Sequence, residues 1–492
     1  MPLTLKPCAT LLIVISASLL FAGCEVGPKF NKPSAPAIAG YIPNQPSATS
    51  STPNVTAGEA QQFAPGDIPG EWWQLFHSQA LNDLIGQSLK NNPDIQAAQA
   101  ALLVARENVL AQRGAYYPSV SGGFSAARQK TSAEISPVPS QNILNFSLFT
   151  PQVSVSYVPD VFGLNRRTME SLRAEQEQAR FALAATHITL SSNVAMGAIQ
   201  EASLRAQIAA TNQLIEINTN MLQILRNQFA QGYVARIDVA AQESQLALIV
   251  ATLPPLLKQL AQQRDLLAAL AGSFPNQELP ERFELANLQL PQELPLSLPS
   301  QLVEQRPDVR QAEENLHSAS AQIGVARANR FPSFLLTGDA GTMTLHFAQL
   351  FSQGGFWDLG ASITQPIYEG GTLLHRERAA QDAYTQAAAQ YKSAVLTAFQ
   401  NVADTLNALD QDADALKAAA AADDAALVTL KLSQDQFQSG YINYLGLLNA
   451  EQTYQQAVIN LVQAQANRYS DTAALFQALG GGWWNRPDIP KS

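Results

Sequence analysis

Residues 228–244 read QFAQGYVARIDVAAQES, and residues 436–452 read QFQSGYINYLGLLNAEQ. Gln, Phe, Gly, Tyr and Glu recur at matching places, at an offset of 208 (436 less 228). Each copy closes a long run without proline, residues 165–228 and 371–436, of 64 and 66 residues. At about 1.5 Å per residue either run, if one helix, reaches nearly 100 Å. Gly-Tyr suits a helix stop, because glycine takes the left-handed cap conformation without strain. A second helical pattern follows each stop, over residues 236–271 and 444–479. Each stretch therefore reads as the tip of an antiparallel helical hairpin.

Heptads support side-by-side packing. Leu204, Thr211, Asn218 and Leu225 repeat every seven residues, with Ile208, Ile215, Leu222 and Phe229 as the companion row. The return run carries Leu246, Leu253, Leu260 and Leu267; the second copy carries Leu409, Leu416, Leu430 and Phe437, interrupted by Asp423. Such seams mark helices packed along their lengths. Pro254-Pro255 falls inside the first return run, where a kink or break is expected.

Other landmarks recur in the same order. NPDIQAAQA at 92–100 answers RPDVRQAEE at 306–314, and Tyr117-Pro118-Ser119 answers Phe331-Pro332-Ser333. Pro159 and Gly163 answer Pro366 and Gly370. The chain reads as a tandem repeat of about 210 residues, with repeat 1 over 71–291, repeat 2 over 292–480 and a tail over 481–492. Each repeat opens with a short helix starting at Pro93 or Pro307, where proline fits the first turn.

Between short and long helices the period changes to two. Residues 152–158, QVSVSYV, alternate Val153, Val155 and Tyr157 with Gln152, Ser154 and Ser156; residues 357–364, WDLGASIT, alternate likewise. Strands are expected at about 119–129, 149–158, 333–344 and 356–365, each with one apolar face. Phe146, Phe149, Phe351, Phe356, Trp357 and Tyr368 cluster near their ends, as in an interfacial aromatic girdle. Strands in lipid must close into a barrel. Four are too few, since single-chain barrels start at eight, so three chains supplying twelve are expected.

Residues 9–23, ATLLIVISASLLFAG, form a short apolar stretch ending in small residues, so 1–23 reads as a signal peptide. Ala22-Gly23-Cys24 resembles a bacterial lipobox, which implies lipidation of Cys24; Glu25, rather than Asp, after it points to the outer membrane. Residues 24–70 are Pro/Ser-rich and expected to be extended. No later window holds 18 consecutive apolar residues, so no transmembrane helix is expected. A formal charge of −10 without a basic block argues against nucleic-acid binding. Two cysteines and five scattered histidines give no metal motif, and no nucleotide or nucleophile motif points to an enzyme or cofactor.

CEVGPKFNKP at 24–33, WW at 72–73, the NPD and RPD helix starts, the QF…GY tips and LGGGWW at 479–484 together resemble a TolC-type outer-membrane factor. The likeness is strongest to the lipoprotein branch serving resistance-nodulation-division efflux pumps, the NodT family. It implies a mainly α fold with a transmembrane β part: a homotrimer with a 12-stranded β-barrel and an α-barrel of long coiled-coil helices. It further implies a passive exit duct for small molecules such as drugs or metal ions. The partners would be an inner-membrane pump, outer-membrane lipid and a periplasmic adaptor docking at Gly232, Tyr233, Gly440 and Tyr441. A protein-secretion duct and a non-channel coiled-coil lipoprotein are the alternatives. Relatives carry aspartates after the second tip; here those positions are Asn449 and Gly446, and the positions of one relative's latch residues are Phe437 and Ile442. The expected gate is therefore an apolar ring of Leu445 with Asn449 hydrogen bonds; Asp238, equivalent to Gly446, reads equally as a source of residual cation preference or as a solvated acid at a helix start.

Overall fold

The computed structural model describes residues 26–130, 145–277 and 279–490. The signal-like segment and Cys24 lie outside the described residues. In chain order the elements are β1 (Gln62–Pro65), α1 (Gln79–Asn91), α2 (Pro93–Arg113), β2 (Ser119–Lys130), β3 (Asn145–Tyr157), α3 (Leu164–Ala230) and α4 (Arg236–Leu270). There follow β4 (Glu293–Leu296), α5 (Pro299–Gln305), α6 (Pro307–Ala328), β5 (Ser333–Thr342), β6 (Gly355–Thr364), α7 (Thr372–Gln438) and α8 (Tyr444–Ala478). Helices α3 and α7 have 67 residues each and α4 and α8 have 35 each, all matched at an offset of 208 (372 less 164; 444 less 236).

The chain divides into two compact units. One comprises residues up to 32, 103–178 and 312–391 and holds an antiparallel sheet in the order β2-β3-β5-β6. Its register aligns the alternation of all four strands. One row runs Val120, Val155, Gly338, Leu359 and the next Gly122, Val153, Ala340, Trp357. Between them on the opposite face run Ser121, Ser154, Asp339 and Asp358. The sheet thus has one apolar and one polar face, and the apolar face is open: Trp357 is 76% and Leu359 77% exposed. The outer edges of β2 and β6 pair with no strand among the described residues. Of the expected girdle, Trp357, Phe351 and Tyr368 are exposed, while Phe149 packs edge-on against Phe347. Phe146 and Phe356 depart from it: the period-two register turns them to the polar face.

In the same unit the segment after Cys24 is fixed to helices. Arg167 donates from Nε to the Val26 carbonyl at 3.2 Å and from Nη2 to that of Gly27 at 3.4 Å. Gly27 has φ +105°, and a Cβ there would lie 2.5 Å from the Gly324 Cα. Only glycine permits that approach.

The second unit comprises residues 33–102, 179–311 and those from 392 onward. Leu204, Thr211, Asn218 and Leu225 of the first seam are all buried, as are Leu409, Leu416, Leu430 and Phe437 of the second. Part of α3 is apolar enough by composition to cross a membrane, but 67% of that window is buried inside the chain, which fits a packed core helix. Of the kink or break expected at Pro254 and Pro255, no break occurs: helix α4 runs through both. Proline removes donors to the carbonyls of Val250 and Ala251, and both residues are exposed, so water can take the acceptors.

The paired short-helix starts have a common structural job. Asn92 donates from Nδ2 to the carbonyl of Leu270 at 3.0 Å, and Arg306 donates from Nη1 to that of Ala478 at 2.9 Å. Leu270 and Ala478 end α4 and α8, whose last carbonyls lack helical partners. The tryptophan pairs are structural too: Trp72 stacks on Phe476 with centroids 5.2 Å apart, and Trp483 donates from Nε1 to the Gln305 carbonyl at 2.6 Å.

Candidate functional site at the two helical tips

Both tips end in the same backbone motif. The Tyr233 N–H donates to the Gln228 carbonyl at 2.9 Å and the Gly232 N–H to that of Phe229 at 2.9 Å. In the second tip Tyr441 donates to Gln436 at 2.8 Å and Gly440 to Phe437 at 3.0 Å. This is the Schellman pattern, with glycine in the left-handed region at φ +81° and +75°. It accounts for the spacing of QF…GY. A Cβ on Gly440 meets nothing within 4 Å, so Gly440→Ala carries only a conformational cost of about 1 kcal/mol. Local hydrogen exchange at residues 436–446 is then expected to speed up about fivefold.

The return helices are capped in opposite senses. In the first, Asp238 at the third helical position accepts from the Ala235 N–H at 3.0 Å. In the second, Asn443 at the cap accepts from the Gly446 N–H at 3.1 Å. Asp238 is therefore a capping carboxylate as well as part of the lining of a 560 Å³ cavity between the tips, shared with Gln228, Tyr233, Phe437, Gly440 and Asn443. Gly446 occupies the corresponding helical position with no side chain to offer.

Beneath the turns the hairpins share one core of Met221, Leu222, Leu225, Val239, Leu430, Phe437, Tyr444, Leu447 and Ala450. Phe437 meets Tyr444 edge-on at 6.1 Å. The Tyr444 hydroxyl donates to Gln242, whose amide donates to Asn218 Oδ1 at 2.9 Å. Burial pushes the Tyr444 phenol well above its ordinary value, and the nearby charges of Glu451 and Asp238 push it the same way. Of the two latch positions, Phe437 is buried and Ile442 half-buried. Leu445 is 60% exposed, and Asn449, one turn on, is exposed too. Tyr233 and Tyr441 are strongly exposed.

Two features escaped the sequence reading. Ile237, at the position matching Leu445, is 75% exposed; the repeat offset alone would have found it. Glu451 and Glu243 match in sequence but differ in surroundings. Glu243 receives Arg226 at 2.9 Å and Arg236 at 3.4 Å, whereas Glu451 is buried.

The described residues thus combine a pair of long-helix hairpins with an open, amphipathic four-stranded sheet, the architecture expected of an outer-membrane efflux channel. Comparison with known proteins agrees. The chain belongs to the outer membrane efflux protein family, which it matches over residues 84–273 and 298–481. It is 30% identical to the probable efflux pump outer membrane protein SepC of Pseudomonas putida strain F1, over 97% of this chain and 98% of that one. It is 26% identical to the probable outer membrane lipoprotein SilC of Salmonella typhimurium, covering 96% and 98%. Among solved structures, the open state of the Neisseria gonorrhoeae MtrE outer membrane channel matches with TM-score 0.79 and 26% identity, covering 94% and 99%. The chain is an outer-membrane efflux channel protein.

Proposed function

We propose that three copies of this chain assemble into a passive duct, each contributing four strands to a 12-stranded barrel and one third of a helical barrel built on a tandem repeat. The observation carrying this reading is the sheet itself. Its apolar face is in register and uncovered, and among the described residues its two outer edges pair with no strand. In lipid such edges must meet strands of a neighbour. The apolar face then meets lipid, and the polar face with Asp339 and Asp358 meets a water-filled bore.

The tips face the periplasm in this reading. Gly232, Tyr233, Gly440 and Tyr441 receive an adaptor protein, which links the duct to an inner-membrane pump of the resistance-nodulation-division type. Leu445, Asn449, Gly446 and Asp238 line the constriction. Leu445 supplies an apolar ring, Asn449 a hydrogen-bonding one, and Asp238 the remaining charge. Cys24 carries the lipid, a reading supported by the lipoprotein name of a relative and by the fixed strap at Val26 and Gly27. The cargo is small molecules delivered by the pump, as the efflux names of the relatives suggest. The test is purification from outer membranes followed by planar-bilayer recording. A heat-modifiable trimer that conducts ions is expected; a monomer without conductance contradicts the proposal.

A further inference from the structure

Glu451 is the buried titratable group at the tips that no part of the duct reading uses. It is 3% exposed, and among the described residues neither carboxyl oxygen has a hydrogen-bond partner. A buried carboxylate without a partner is costly, so such a site favours the neutral acid. The repeat explains how it arises. Glu243, 208 residues earlier, is held by Arg226 and Arg236; at the same offset those two positions become Gln434 and Tyr444. Both cations are gone, and the carboxyl lies inside the packing instead of on the surface.

Burial alone raises the Glu451 pKa, and among the described residues the following ionisable groups of the tip elements do not supply a counter-ion. Tyr444 on its own helix carries its proton. Asp238 of α4 and Asp423 of α7 are acids, with Asp423 itself pushed up by burial and by Asp424. Arg226 of α3 and Arg236 of α4 are engaged by Glu243. We propose that Glu451 makes the packing of the two tips proton-linked, neutral while the tip is packed and ionised when it loosens, so that the tips loosen as the pH rises towards neutrality.

The direction follows from linkage. Burial raises the Glu451 carboxyl from an ordinary 4.5 to about 7. Between those values the loosened form has lost its proton and the packed form has kept it. Packing stability is therefore fully present below about pH 4.5, falls as the pH rises, and levels off above about 7. The reading needs only the packed tips, whatever number of chains assembles.

Hydrogen exchange of the full chain in detergent, corrected for intrinsic rate, tests it at residues 444–452. The readout must be local, because Asp471 further along α8 is also pushed up, by burial and by Asp412, and faces Arg468. Opening is expected to increase about tenfold or more from pH 5 to pH 7.5 in the wild type. Glu451→Gln is expected to remove the rise, while Glu243→Gln keeps it. A flat wild-type profile overturns the proposal without any variant, and so does a rise that persists in Glu451→Gln. Bilayer conductance plays no part in this experiment, so failure of the duct reading is told apart from failure of this one.

Discussion

If three copies assemble as proposed, Leu359→Arg is expected to eliminate the trimer from the outer membrane. Leu359 sits in β6 on the apolar face, between Trp357 and Ala361 and opposite Gly338. Its side chain is 77% exposed in the chain and has no core to join. If that face meets lipid, arginine there costs roughly 2–4 kcal/mol near the bilayer midplane, repeated in each copy. Such a penalty is comparable to a sizeable share of a folded protein's margin. Ser362→Arg is the matched control. It lies on the polar face of the same strand, opposite Leu335, and is expected to assemble and change only ion preference. Outer-membrane fractions run unheated on gels distinguish them. Equal trimer from both variants would mean the apolar face is not lipid-facing.

Leu445→Ala combined with Asn449→Ala is expected to raise single-channel conductance severalfold. The two residues are one helical turn apart on the exposed side of α8, while Leu447 and Ala450 between and beyond them are buried in the shared tip core. Trimming the exposed pair therefore leaves the packing of the hairpin in place. An apolar ring narrows a pore by excluding water, and an amide ring adds hydrogen bonds across it. No carboxylate at Gly446 or Asn449 is available to do so by binding cations. Conductance no greater than wild type removes both residues from the gate. Ile237, equally placed on the first tip, is then the side chain to trim next.

The sequence carried the helices well because their signals are local. Proline-free runs, seven-residue seams and Gly-Tyr stops each act within one or two turns. The strands were legible for the same reason: alternation is a property of each segment. Their full order was not, since β3 also pairs with β5 across about 180 residues of chain. Whether Pro254-Pro255 breaks its helix was not legible, because a proline's cost depends on what replaces the lost hydrogen bond, and an exposed helix face has water for that. Asp238 was legible as an acid at a helix start. Its bond to the Ala235 N–H, and the swapped cap at Asn443, needed backbone geometry. Glu451 was invisible as a special group. Its burial is set by the packing of α8 against other helices, and the telling fact, two arginines lost at the repeat offset, gains meaning only once Glu243 is seen to hold them.

The central claim is that this sheet is one third of a closed barrel. Electron cryo-microscopy of the protein in lipid nanodiscs addresses it most directly. The account expects a threefold particle in which β6 of each chain pairs with β2 of the next, making twelve strands around an open bore with Trp357 and Leu359 against lipid. A single chain whose sheet is covered by its own helices, or an assembly in which those edges stay apart, would contradict it.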